Sequence, residues 1–292
     1  MNRNLAFFCL LMFATGIASA QQTPELFQPG IISNGGVFGF TLSPDSRVAL
    51  WVLSNGKRDT LKIMESRKTK GKWSAPQVAS FSTATGAWKD IDPVFSPDGK
   101  KVLFQSTRNT HRTADRKDFD IWAVEVTSTG WSEPYPLAGE INSEVSESYA
   151  SITKDGTVYF MKENDNNTGR SDIYFSEVKA GKYQKPQNIG TPVNTTERES
   201  NPFIAVDGSY IIYFSSDTTG LGDVDLFISF KNNNKWTAPK NLGASINSER
   251  AEFCPFVHTK EKRLYFARQR KTESGRMEEN IYSVNFDVSR YR

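Results

Sequence analysis

The sequence predicts an all-β fold, a five-bladed β-propeller of four-stranded antiparallel blades closed by its own N-terminal segment. Three observations carry that expectation: a unit of about 53 residues repeated five times from Pro24 onward, four β-rich runs in each unit, and an N-terminal stretch that matches the outer strand missing from the last unit. Repeats of roughly 40–50 residues, each holding four strands, are the pattern of propeller blades.

The register of the repeat is set by a turn that reads Ser43-Pro44-Asp45-Ser46, Ser96-Pro97-Asp98-Gly99, Lys154-Asp155-Gly156, Val206-Asp207-Gly208 and, degenerately, Thr259-Lys260-Glu261. Each turn lies between two short β-rich runs, such as Ser148–Ile152 and Thr157–Phe160, which defines strands a and b of a hairpin. Asp bonds nearby backbone and Gly accepts a positive φ, so the turn aspartates read as structural.

Strand c opens with a polar residue, an aliphatic and an aromatic: Asp120-Ile121-Trp122, Asp172-Ile173-Tyr174, Asp225-Leu226-Phe227 and Asn280-Ile281-Tyr282, with Lys62-Ile63-Met64 as the worn copy. Asp120, Asp172 and Asp225 are expected to bond backbone or a neighbouring blade. Nine residues after each third position stands another aromatic, Trp73, Trp131, Tyr183, Trp236 and Tyr291. The first four open an aromatic-x-x-Pro element, and a proline cannot donate to a ladder, so the fourth strand, d, is outermost. These aromatics are expected to pack between blades.

Closure follows from the ends. The chain stops where the fifth strand d should begin, while Pro24 stands 18 residues before Leu42, the spacing that separates Pro134 from Ile152, Pro186 from Ile204 and Pro239 from Val257. The segment Gln22–Phe27 is therefore expected to complete the last sheet around Ile281, removing an open edge. A sixth blade would have to be built from almost no spare sequence.

Residues 1–20 carry one charge, Arg3, then an apolar run from Leu5 to Ile17 and an Ala18-Ser19-Ala20 cleavage pattern, which reads as an export signal. The run is short for a membrane span, and Cys9 lies inside it. Residues 21–292 are then expected to form one propeller domain in the periplasm or outside the cell, monomeric and without a membrane span. Cys254 remains as the one cysteine after cleavage, so no internal disulfide is expected. With 35 basic residues (36 less Arg3) against 33 acidic ones and no long run of either sign, no broad nucleic-acid surface is expected.

Function in a propeller collects on the face bearing the d–a and b–c connections, where loops vary freely. The b–c loops here differ widely: Ser54–Thr60, Arg108–Phe119, Asn164–Ser171, Asp217–Val224 and Gln269–Glu279. On that face, five residues before Phe95, Ile152, Ile204 and Val257, stand Asp90, Glu147, Glu199 and Glu252, with Val37 breaking the pattern in blade 1. In a closed ring these form an arc of four carboxylates near the axis, joined by Asp92. Such an arc can hold Ca²⁺ through oxygen ligands, orient a cationic or polyhydroxylated ligand, or cap loop amides. Lys162, Arg268, Arg270 and Arg108 are placed to pair with some of the acids. In the d–a loops, Asn142, Asn194 and Asn247 each follow the strand-d proline by eight residues and read as loop supports.

No G-x-S-x-G elbow, P-loop, dinucleotide fingerprint or paired His/Cys metal spacing occurs. His111 and His258, the two histidines, read as surface or packing residues. Two or three axial carboxylates could serve a glycosidase, although four similar acids at equivalent positions look like repetition and not like an acid and a base.

The segments Asp92–Phe104 and Asp120-Ile121-Trp122 resemble the PD40 repeat, a WD40-like propeller repeat of the TolB family and many exported bacterial proteins. The resemblance covers the whole expected propeller, weakest in blades 1 and 5, and implies the fold far more strongly than any activity. It implies a protein-binding platform of the cell envelope, though related repeats also accompany peptidase domains and polysaccharide-active enzymes. Nothing resembles the N-terminal domain of TolB. The leading expectation is a non-catalytic exported propeller, without a resident cofactor, that binds an envelope protein or glycan; the alternative is a carbohydrate-active enzyme using the axial carboxylates.

Overall fold

Residues 23–108, 118–163 and 171–292 are described by a computed structural model of the chain. The expected export signal, Cys9, Gln22, His111 and parts of the second and third b–c loops lie outside the described residues.

The five sheets are those the repeat demands. Blade 1 comprises strands a to d at Val37–Leu42, Val48–Ser54, Leu61–Thr69 and Gln77–Val78; blade 2, Asp90–Phe95, Lys101–Ser106, Asp120–Thr127 and Tyr135–Pro136. Blade 3 uses Glu147–Ile152, Val158–Glu163, Ser171–Ser176 and Gln187–Asn188; blade 4, Glu199–Ile204, Tyr210–Ser215, Asp225–Asn232 and Lys240–Asn241. In blade 5, Ala251–His258, Arg263–Lys271 and Met277–Asn285 are joined by Glu25–Leu26 as the outer strand.

That last pairing closes the ring. Glu25 faces Ser283, Leu26 faces Tyr282, and the Phe27 amide donates to the Ile281 carbonyl at 2.8 Å. Phe27 then inserts edge-on between Phe40 of blade 1 and Tyr265 of blade 5, at 5.1 Å from each ring. The C-terminal segment departs from expectation: Tyr291 starts no strand but ends a 3-10 helix, Val288–Tyr291, and stacks on Phe286 at 5.6 Å. Asp287 caps that helix, accepting from the Ser289 amide at 3.0 Å.

Strand a of each blade lines the axis and is packed on both faces, so its residues are buried without alternation, as all six are in Val37–Leu42. Large side chains such as Trp51, Phe104, Phe160 and Tyr213 fill the space between sheets. Each contributes about 1.5–3 kcal/mol by burial. The aromatics ahead of strand d cross between blades. Trp131 of blade 2 lies 5.2 Å from Phe81 and donates its indole N–H to Glu65 Oε2 of blade 1 at 2.7 Å, and Trp236 of blade 4 meets Tyr159 of blade 3 edge-on at 6.4 Å. The aromatic-x-x-Pro element splits the outer edge in two, for Trp73 pairs with the end of strand c while Gln77–Val78, just beyond Pro76, pairs with its middle.

Repeated polar residues tie each blade together. The Ser96 hydroxyl donates to Asp98 Oδ1 at 2.6 Å and accepts from the Lys101 amide at 3.0 Å, and the Ser43–Asp45 turn repeats this. The bond from Ser96 holds the Asp98 carboxyl below the usual range. Asp225 accepts from the Leu221 amide at 2.6 Å and Asn241 at 2.8 Å, and Asp172 from Asn188 at 2.9 Å. Asn142, Asn194 and Asn247 reach further than local backbone. Each side-chain amide bonds both the N–H and the C=O of the second strand-c residue, Ile121, Ile173 and Leu226, at 2.8–3.1 Å.

Candidate functional site on the propeller axis

The four carboxylates of the arc stand where the repeat puts them, at the first or second residue of strand a, and all are fully buried. Each is taken up by its own d–a loop. Glu199 accepts from the Thr195 amide at 3.0 Å, the Thr195 hydroxyl at 2.7 Å and the Ser215 hydroxyl at 3.1 Å. Glu252 accepts from the Ser248 amide and hydroxyl at 2.9 and 2.6 Å and from Arg268 Nε at 2.6 Å. Glu147 bonds the Ser143 amide at 3.0 Å and the Ser143 hydroxyl, with Lys162 Nζ 3.5 Å away. Asp90 accepts from Ser82 and the Thr83 amide at 2.9 Å each and pairs with Arg108 at 2.9 Å. Burial lifts the pKa of all four, to about 7 for Glu147, against the bonds that oppose it. Arg108, Lys162 and Arg268 thus serve arc carboxylates, whereas Arg270 pairs with Glu278 at 2.7 Å, away from the arc. Blade 5 departs from the expected loop as well: strands b and c run to Lys271 and from Met277, so most of the Gln269–Glu279 stretch is a projecting hairpin.

Asp92 does not join the arc. It belongs to a second set of equivalent positions, two residues further along strand a, occupied by Gly39, Asp92, Tyr149, Asn201 and Cys254. At each the strand a–b register shifts by a bulge, and each residue has a left-handed φ between 48° and 57°. That conformation suits glycine and is uncommon for Tyr or Cys. Five bulges turn five residues onto the axis, around a narrow cavity of about 40 Å³.

The ring residues engage one another. The Cys254 amide donates to Asn201 Oδ1 at 2.9 Å, and its thiol lies 3.5 Å from Asp92 Oδ1 and 3.4 Å from Asn201 Oδ1. The Tyr149 amide donates to Gln105 Oε1 at 3.0 Å. A β-carbon at Gly39 would collide with Asp92 Oδ1, so glycine there serves both the positive φ and the space the carboxyl needs. From the b–c loop of blade 1, Arg58 lies over the Phe38 ring at 4.8 Å and pairs with the buried Glu279 of blade 5, which also accepts from Gln269 at 2.6 Å.

Burial drives the Asp92 carboxyl up to about 7; the Cys254 thiol and Arg58 oppose the shift and Glu279 adds to it. Burial likewise lifts the Cys254 thiol well above its ordinary value, in keeping with the inert buried thiol the sequence suggests. Among the described residues, five buried side-chain polar atoms lack a hydrogen-bond partner, and four belong to this region: Asp92 Oδ2, Glu279 Oε2, Thr41 Oγ1 and Gln105 Nε2. Unsatisfied buried polar atoms are rare in native structures. Among the described residues no group of three or more His, Cys, Asp or Glu side chains is arranged to hold a metal ion.

Sequence reasoning missed Arg58, Glu279 and the ring as a set. The ring positions do lie in the repeat register, three residues before Phe95, Ile152, Ile204 and Val257. Their side chains share no chemistry, however, so a search for repeated residue types passes over them.

No family model matches the chain, and neither does any curated protein. Solved structures do match. The chain is similar to a protein described as a glycoside hydrolase, at 9% identity and TM-score 0.60, with 88% of this chain and 92% of that one covered. It is similar to a thermostable family-43 glycoside hydrolase at 12% identity and TM-score 0.59, covering 89% and 93%. It also spans 35% of a puromycin-hydrolyzing peptidase from Mycobacterium tuberculosis, at 11% identity and a TM-score of 0.45 that carries no argument. At such identities the likeness is one of fold: the chain is a five-bladed β-propeller of the shape shared by those glycoside hydrolases.

Proposed function

We propose that the protein acts on a carbohydrate at the axial cluster, with Asp92 as the proton-donating acid and Glu279, paired with Arg58, as the second carboxylate. The observation that carries this reading is the pair of buried carboxyl oxygens without partners, Asp92 Oδ2 and Glu279 Oε2. An acid and a base need unlike surroundings. Asp92 is desolvated and pushed up to about 7, while Glu279 faces a guanidinium. The arc carboxylates lack this division of labour, since each is spent on a loop. The axial cavity holds only a few waters, so a glycan would sit above the ring, on the side where Arg58 lies. The fold shared with glycoside hydrolases is consistent with this use.

The test is turnover of a panel of glycans and aryl glycosides by the protein freed of residues 1–20. Asp92→Asn and Glu279→Gln are each expected to reduce turnover by about 10²-fold or more. Activity that depends on protonated Asp92 should fall as pH rises through about 7. No turnover of any glycan, or full turnover by Asp92→Asn, would overturn the reading.

A second reading is a non-catalytic exported platform for an envelope protein or glycan, in line with the PD40 resemblance. One observation favours it: of the five ring positions only Asp92 carries a carboxyl. It predicts affinity capture of an envelope partner, with binding unaffected by Asp92→Asn. In either case the proposed setting is the periplasm or the cell exterior.

A further inference from the structure

The axis has a second end. Below the ring, towards the a–b turns, the channel widens into a separate cavity of about 350 Å³, within the size range of small-molecule sites. Its wall is made by one apolar residue from the end of each strand a: Leu42, Phe95, Ile152, Ile204 and Val257. These are the positions at which the repeat is most uniform in character. Its mouth is formed by the turns themselves, with Pro44, Pro97 and Val206 around it, and Val206 is 41% exposed.

The polar groups at this end divide unequally. His258 is committed, with Nε2 3.2 Å from the Ser43 carbonyl and Nδ1 accepting from the Glu261 amide at 3.2 Å. The turn aspartates bond the hydroxyls and amides of their own turns, and none lines the cavity. Lys260 does line it, is exposed, and takes part in no salt bridge found among the described residues. Across segments 43–47, 96–101, 153–157, 206–209 and 259–263 there are seven Lys or Arg against five Asp or Glu, a balance that favours an anion.

We propose that this cavity binds an amphiphilic monoanion, an acyl chain ending in one carboxylate, with the chain in the apolar funnel and the carboxylate at Lys260. A chain of methylenes matches the apolar wall, where the Ser96 and Ser151 hydroxyls are already bonded and Thr259 lies exposed at the rim, and the Lys260 ammonium supplies the only charge such a ligand needs. The site faces away from Arg58 and Glu279 and is independent of the carbohydrate reading.

Titration calorimetry with decanoate and 1-decanol tests it on the protein freed of residues 1–20. Decanoate should bind saturably with one site, about tenfold more tightly than 1-decanol. Lys260→Gln should bring decanoate down to the alcohol's affinity. Ile152→Trp fills the wall and Val206→Trp covers the mouth; both should abolish binding of either ligand, and the exposed mouth variant serves if the wall variant fails to fold. Absence of saturable binding, or binding that survives both tryptophans, overturns the site. Equal affinity for acid and alcohol overturns the role of Lys260, and so does capture at this face of a protein side chain in place of decanoate.

Discussion

The arc and the ring lie two residues apart on the same strands, yet they are built on opposite terms. In the arc a carboxylate recurs and caps its own d–a loop: Glu147, Glu199 and Glu252 bond the amide and hydroxyl of the residue four before them, Ser143, Thr195 and Ser248, and Asp90 bonds the Ser82 hydroxyl and the Thr83 amide. In the ring no residue type recurs, the backbone is held left-handed, and the one carboxyl, Asp92, keeps an oxygen without a partner. The contrast separates two demands on a repeat protein. Fastening a loop to a blade is the same problem five times over and has one answer, whereas a site on the axis needs unlike groups facing each other.

That contrast can be broken most forcefully at Glu252. Its removal in Glu252→Ala leaves Arg268, only 15% exposed, without its carboxylate, and strips the Ser248 loop of its cap. A loss of about 3–5 kcal/mol in denaturant unfolding is expected, as for other halves of buried pairs. A cost under 1 kcal/mol would show that the arc is not structural.

The ring should answer in the opposite direction. Asp92 binds its proton more tightly folded than unfolded, so its contribution is complete below pH 3.8 and is lost as pH rises to about 7. In Asp92→Asn that decline disappears, leaving the variant more stable than the parent at pH 8 by about 2–4 kcal/mol and matched to it near pH 3. Glu147 titrates in the same window and keeps part of the slope. Thermal unfolding against pH would show this; an Asp92→Asn variant less stable at pH 8 would mean that the ring is a structural device like the arc.

Glu199 sharpens the comparison at its small end. Among the described residues it has hydroxyl and amide partners but no cation in bonding range, so Glu199→Gln can keep its acceptors. A change of about 1 kcal/mol or less is expected. A loss as large as that of Glu252→Ala would imply a charge partner.

What the sequence made legible was whatever recurs. The turn aspartates, the three loop asparagines, the interblade aromatics and the N-terminal closure all repeat a residue type at a fixed offset, and the structure places each in one recurring role. Where a role is filled once, the spacing misleads or is silent. Tyr291 has the correct offset from Tyr282, but the segment before it is capped by Asp287 and turns into a helix. Glu279 comes from strand c of blade 5 and not from strand a, and Arg58 from an irregular loop; no period points to either. Asp92 was in view but assigned to the wrong set, because a bulge rotates it away from the arc, and bulges leave no mark in residue identity when Asp, Tyr, Asn and Cys all adopt one.

The clasp between Glu25–Leu26 and Met277–Asn285 sets an order of events during synthesis. The strand that seals the toroid leaves the ribosome first and must wait for the last sheet to emerge before it has a place to dock. Blades 1 to 4 can each form from contiguous chain, while the flanks later buried by Phe27, Phe40 and Tyr265 stay open until blade 5 has emerged. Until that last blade has formed, the open ring leaves those aromatic flanks exposed to misassembly.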